Sequence, residues 1–316
     1  MTLTADQIAQ FKKDGYLIVK DVVSPDLLRA IRGEYDGVMD NLYDDWFAQG
    51  LVTDPAEGLD FWAKLDRARA AEVEWFQPLD ISLPHADITE DTPFHFGPAV
   101  FDLVTHDPIL DVVETVLGGE LTSNPIQHVR IKPPQREVPE GETRAHIGVT
   151  AWHQDRGVGH PLADETDIIT VWIAVTDATV KDGCLRLIPN PPDDMLPHCP
   201  QIQTAIPDAH LDQDRAIDAE MTAGSILLIH PLTPHCSGPN TSDGYRWSFD
   251  IRYNVSGQNT GRQQFPDFVA RSRAQPQTEL RDWRTWLGLW EQARTTAATS
   301  PHIDQHRWQA DSPFCA

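Results

Sequence analysis

The chain has 316 residues, 40% of them hydrophobic, and a formal net charge of -23 at pH 7, which allows a sizeable core and argues against nucleic acid or anionic membranes, whose binding needs clustered Lys and Arg. No apolar run approaches the roughly 18 residues that span a bilayer, and the first twenty residues lack the basic stretch and apolar core of an export signal. The four cysteines (184, 199, 236 and 315) form no Cys-x-x-Cys pair and are too few for a disulfide framework, so a cytoplasmic, reducing setting is expected; the His-Cys pairs at 198/199 and 235/236 lack zinc-ligand spacing.

In chain order, Thr4 followed by Gln7 reads as a capping box that opens a short helix, with Gly15 as its stop. "YLIVKDVV" reads as a strand. Ser24 and Pro25 then start a long helix with Leu28, Ile31, Tyr35 and Val38 on one face. Residues 57–75 and "DPILDVVETVLGG" are also helical in pattern, so positions 1–120 form a mainly helical elaboration. After Gly119 the character changes. "PIQHVRIK", "GVTAW", "DIITVWIAVTD", "CLRLIP", "SILLIHPL" and "RWSFDIRYN" are short β-branched or aromatic runs separated by turn residues, the pattern of an antiparallel sandwich or jelly roll over 121–256. Residues 257–316 are expected to be a helical extension, with Trp283, Trp286 and Trp290 as a core stripe. Without a repeat or low-complexity linker, the whole of 1–316 is expected to be a single domain.

His-x-Asp occurs four times, at 85/87, 153/155, 210/212 and 302/304. His153 and Asp155 have the best setting, since residues i and i+2 of a strand direct an imidazole and a carboxylate to one point. The other three copies read as surface residues. Two histidines and one carboxylate make the facial triad of non-haem Fe(II) oxygenases, and the third ligand has two candidates in "SILLIHPLTPHCSGPN", His230 and His235.

The strings "WHQD", "TVWIAVTDATVKDGCLRLIPN" and "AGSILLIHPLTPHCSGPNTSDGYRWSFDIRY", together with the opening helix and "DGYLIVKDVV", resemble the phytanoyl-CoA dioxygenase family of Fe(II)- and 2-oxoglutarate-dependent oxygenases. The resemblance implies a double-stranded β-helix (cupin-like jelly roll) with flanking helices, Fe(II) on His153, Asp155 and His235, and 2-oxoglutarate as cosubstrate. It also implies that Arg246 holds the cosubstrate's far carboxylate, a task that suits a planar, permanently charged fork. Ser248 shares that strand face, Trp172 is expected to wall the cosubstrate pocket, and Gln127 is a further candidate; Arg252, on the same alternation, reads as a structural ion pair. The implied reaction is hydroxylation of a small molecule with dioxygen, releasing succinate and CO2. A cupin-like metal enzyme without 2-oxoglutarate and a non-catalytic binding module are the rivals. The family's usual Gly-Ser-His segment is replaced by "NPPDDMLPHCP", so substrate choice does not carry over. The acidic surplus matches an acyl-CoA poorly unless Arg130, Lys132 and Arg156 form a basic patch.

Overall fold

The computed structural model describes residues 1–301 and 307–315. Helix α1 (Ala5–Asp14) begins at the expected capping box and ends at Gly15, whose φ of 74° is left-handed. A Cβ there would also collide with Thr233 and Pro191, so glycine is required twice over. Strand β1 (Tyr16–Val19) leads to α2 (Pro25–Ala48), capped by Ser24 and burying Leu28, Ile31, Tyr35, Met39, Tyr43 and Trp46. Met39, in phase with Tyr35 at i+4, takes the core place expected for Val38. Residues 57–75 yield only α3 (Phe61–Ala70), started by the Asp60 cap. Helix α4 (Pro98–Val104) was not expected, whereas α5 (Asp107–Leu117) was.

The β elements are β2 (Glu120–Lys132), β3 (Thr150–His153), β4 (Ile168–Ala174), β5 (Leu185–Leu187), β6 (Cys199–Pro200), β7 (Thr204–Ala205), β8 (Ile217–Ala219), β9 (Ile226–Ile229), β10 (His235–Ser237), β11 (Arg246–Val255) and β12 (Phe268–Ser272). A single turn, α6 (Asp155–Val158), follows β3, and α7 (Trp283–Thr299) follows β12. The larger sheet has the order β1-β9-β4-β11-β2-β12, the one facing it β3-β10-β5-β8, and β6 and β7 form a separate pair, with antiparallel pairing throughout. This is the double-stranded β-helix with flanking helices.

Strand alternation explains why the larger sheet is buried on both faces. On β11, Trp247, Phe249, Ile251 and Tyr253 join the main core with Ile31, Tyr35, Phe61 and Leu65 of α2 and α3, and Tyr35 and Phe61 lie 5.0 and 5.8 Å from the Trp247 ring. The intervening Arg246, Ser248, Asp250 and Arg252 are equally buried but point to the opposite face. A second apolar cluster, with Trp172, Leu185, Leu187, Leu227 and Ile229, packs between the two sheets.

Two expectations for the last third of the chain need correction. The segment 257–316 is not only helical, because β12 adds to β2 and its Arg271 reaches Asp107, Asp111 and Glu114 around α5 at 2.7, 2.6 and 3.0 Å. The short run "FVARS" carries too little alternation to announce a strand. The cysteines are not all free either: Cys199 and Cys315 form a disulfide across 116 residues, a pairing that local spacing cannot reveal, while Cys184 and Cys236 are free and buried. Trp286 and Trp290 are buried in the core beside Phe96, at ring distances of 4.0 and 5.1 Å, with Trp283 partly buried. Among the described residues, no helix is long and apolar enough to cross a membrane.

Candidate active site

Pairing of β10 with β3 sets His235 directly opposite His153, and the two imidazole centroids are 4.2 Å apart. Asp155 does not lie on the strand as expected. The strand ends at His153, Gln154 stays extended (φ -106°, ψ 137°), and Asp155 opens the turn α6. That one extended residue preserves the alternation, so the carboxylate returns to the side of His153, with Oδ1 3.8 Å from His153 Nε2. Donor atoms of His153, Asp155 and His235 all lie within 4.8 Å of one another.

Each of the three side chains is held from behind. His153 Nδ1 donates to the Ala151 carbonyl (2.9 Å) and His235 Nδ1 to the Thr233 carbonyl (3.0 Å). A carbonyl can only accept, so both rings carry the Nδ1 proton and present an Nε2 lone pair to the centre. Burial, reinforced by the neighbouring His235, lowers the His153 pKa to about 3. Burial pushes the Asp155 carboxyl up, but Arg252 and the two histidines outweigh it and hold the group below the usual carboxylate range. Arg252 Nη2 donates to Asp155 Oδ1 at 2.8 Å and Thr170 Oγ1 to Oδ2 at 2.5 Å. These two residues are cross-strand partners on β11 and β4, which is why they grip one carboxylate together. Arg252 also contacts Asp250 (3.3 Å), and Asp250 is held bidentately by Arg130 at 2.7 and 3.1 Å.

Arg246 lies at the other end of the same inner strand face. It is 1% exposed, and its only hydrogen bond among the described residues runs from Nη1 to Ser248 Oγ (3.2 Å); Nε has no partner. The guanidinium sits over Trp172, 5.3 Å from the ring, and Trp172 Nε1 is likewise unpartnered. Burial, then the nearby Arg130, pushes the Arg246 pKa down to about 9. A desolvated cation without a counter-ion is costly, and a dianionic cosubstrate supplies the missing charge. The orphaned donors and the His-Asp-His set therefore fit iron and 2-oxoglutarate.

The triad pocket is also lined by Arg130, Thr150, Trp172, Arg246, Asp250 and Arg252. Ser248 reaches it only through Arg246. Gln127 is not among the lining residues; it is one position out of phase with His128, Arg130 and Lys132, and its amide donates to the Ile81 carbonyl at 2.8 Å. His230 faces α1, with its ring 6.5 Å from that of Phe11. His85 and His210 are exposed and are not part of the His153, Asp155 and His235 cluster, while His302 and Asp304 lie outside the described residues. Arg130 and Lys132 turn inward, the latter donating to Ser237 and Gly238, and Arg156 donates to Thr166, so the three make no surface patch. Thr170 gave no signal in the sequence; Arg252 did, through its alternation with Arg246.

A family model described as Phytanoyl-CoA dioxygenase (PhyH) matches residues 11–248. The chain belongs to the phytanoyl-CoA dioxygenase family. It is accordingly an enzyme of the non-haem Fe(II)- and 2-oxoglutarate-dependent oxygenase class. Within the family it is similar to the Phytanoyl-CoA dioxygenase domain-containing protein 1 homolog of Dictyostelium discoideum, with 25% identity over 287 residues, 82% of this chain and 93% of the relative. In fold it is similar to the apo form of the non-haem monooxygenase ThoJ, with a TM-score of 0.57 at 19% identity over 93% of this chain and 98% of that one. It is also similar in fold to the epimerase SnoN from nogalamycin biosynthesis, whose structure holds Fe3+, alpha ketoglutarate and nogalamycin RO; here the TM-score is 0.50 at 19% identity, covering 81% of this chain and 86% of that one.

Proposed function

We propose that this family member hydroxylates a small molecule, with His153, Asp155 and His235 holding Fe(II) and Arg246 anchoring 2-oxoglutarate. The observation that carries the reading is the buried, unpaired guanidinium of Arg246 on the inner face that also meets the triad through Arg252. When bound, iron and 2-oxoglutarate supply oxidising power from dioxygen, with release of succinate and CO2.

The chain's own residues then have distinct tasks. The two imidazoles donate through Nε2 because their Nδ1 protons are committed to backbone carbonyls. Asp155, ionised by its neighbours, would hold the metal together with the two histidines and offset its charge, and a carboxylate among the holding residues would favour hydroxylation over halogenation. Arg246 fixes the far carboxylate of the cosubstrate, Ser248 orients that fork, and Trp172 walls it off from water. Burial of all these groups strengthens their electrostatic action. Since Arg130 and Lys132 are committed inside the barrel, an acyl-CoA is disfavoured and a small molecule without a polyphosphate is the better substrate class.

Anaerobic addition of Fe(II) and then 2-oxoglutarate is expected to produce the weak visible charge-transfer band of the chelate. A metal enzyme that does not use 2-oxoglutarate, or a binding module, gives no such band. Screening small molecules for stimulated succinate formation then identifies the substrate.

A further inference from the structure

Residues 307–315 lie across the outside of the turn that carries Asp155. Arg307 donates from Nε and Nη2 to the Gly159 carbonyl at 3.2 and 2.8 Å, and holds the Asp164 carboxylate with Nη1 and Nη2 at 2.9 and 2.7 Å. Trp308 Nε1 donates to the Gly157 carbonyl at 2.6 Å, and its ring stacks on that of His198 with centroids 5.2 Å apart. The disulfide from Cys315 to Cys199, the residue after His198, fastens this strap.

His198 joins the strap to the metal-binding segment. Its Nδ1 donates to the Leu196 carbonyl (2.8 Å), and its Nε2 accepts the backbone N–H of Gln154 (3.0 Å), the residue between two of the three metal ligands. Burial, above all, lowers the imidazole pKa to about 4, which keeps the ring neutral and able to accept. Gln154 is itself locked: its side chain donates to the Leu232 carbonyl (2.7 Å) and accepts from the Leu196 N–H (2.7 Å). Gly157 packs so closely that a Cβ would lie 2.1 Å from His198 Cε1. Ring, strap and turn are therefore packed against one another through His198 and Gly157.

We propose that His198 is a positioning residue for the metal-binding turn, and that thiol–disulfide exchange at Cys199 and Cys315 sets how firmly the strap and His198 hold that turn. The proposal rests on the metal-centre reading above. Closing the disulfide breaks two S–H bonds and forms one S–S bond, passing two electrons and two protons to a low-molecular-weight disulfide such as glutathione disulfide, which leaves as two thiols; a dithiol reverses the step. Exchange enters at the partly exposed Cys315, whereas the free thiols of Cys184 and Cys236 are buried and burial pushes them up to about 11 and about 12.

The test compares the wild-type apoprotein in its disulfide form with the form reduced by dithiothreitol and desalted anaerobically. Co(II) is titrated into each and its visible bands are followed, while trypsin cleavage after Arg307 reports strap docking. The dithiol form is expected to bind Co(II) about 10-fold more weakly, the usual scale for losing support behind a metal ligand, and to be cut faster at Arg307. Cys315→Ser should match the dithiol form and no longer respond to dithiothreitol. His198→Leu should lower Co(II) affinity in both redox forms, whereas His198→Gln, which keeps an acceptor near the Nε2 position, should retain most of it. Equal Co(II) affinity in the two wild-type forms overturns the proposal even if every variant misfolds. No Co(II) binding in either form removes the metal centre itself, a separate failure.

Discussion

Replacing Arg246 by alanine separates cosubstrate anchoring from metal binding. The guanidinium is 1% exposed and, among the described residues, makes a single hydrogen bond, at 3.2 Å, to the uncharged hydroxyl of Ser248. Its loss removes the charge-assisted contact to a carboxylate in a site closed to water, which costs about 2–5 kcal/mol. At 1.4 kcal/mol per tenfold, the dissociation constant of 2-oxoglutarate should rise at least about 30-fold. Among the described residues Arg246 hydrogen-bonds Ser248 and not His153, Asp155 or His235, so Co(II) or Fe(II) affinity in the absence of 2-oxoglutarate should change by less than about twofold. The assay is anaerobic titration of each ligand in turn, by the visible band and by calorimetry. Arg252→Ala gives the contrasting result, because Arg252 supports Asp155 directly at 2.8 Å: metal affinity falls first and cosubstrate affinity follows from it. Unchanged 2-oxoglutarate affinity in Arg246→Ala, or equal loss in both variants with metal binding preserved, would refute the assignment of the anchor.

His153→Ala and His235→Ala should each abolish metal binding in the same titration, while His230→Ala, whose ring faces Phe11, should leave it nearly intact. Asp155→Gly should admit chloride, since Arg252 would be left as a buried cation beside the vacated position; the check is a chloride-dependent change in the iron and 2-oxoglutarate band, absent in the wild type. Burial lifts the Asp80 pKa to about 7 while the partner ring of His128, 2.9 Å away, is lowered to about 3, also by burial. A carboxyl raised in the folded state adds stability below its ordinary value of about 3.9 and loses it as pH climbs to about 7. Urea midpoints of Asp80→Asn should therefore be flatter with pH than those of the wild type, and parallel curves would refute the shift.

Residues whose placement follows from chain-local geometry were legible in the sequence. His153 and Asp155 are two positions apart, and Arg246, Ser248 and Arg252 keep one strand alternation, so a pattern of period two exposes them. The capping box at Thr4 and the Ser24–Pro25 start are likewise local, and both appear where expected. The family resemblance, not spacing, selected His235 over His230. What escaped depends on partners distant in the chain: the grip of Thr170 on Asp155, the Cys199–Cys315 bridge, the contact of His198 with Gln154, and β12 beside β2. Gln127 shows the opposite limit: strict alternation with His128, Arg130 and Lys132 turns it to the other strand face, where its amide donates to the Ile81 carbonyl.

The order of the larger sheet bears on how the chain can be cut. Its outer strands, β1 and β12, come from positions 16–19 and 268–272, on either side of the stretch 121–256 that carries the triad. Without β1, the strand Ile226–Ile229, an unbroken apolar run, would present its unpaired backbone groups to solvent, and without β12 the start of β2 would do the same. An exposed, flat, apolar edge is a template for adding strands from other molecules. A fragment trimmed to 121–256 is thus expected to be lost to self-association rather than merely weakened, and its expression should yield a larger aggregated fraction than expression of 1–316.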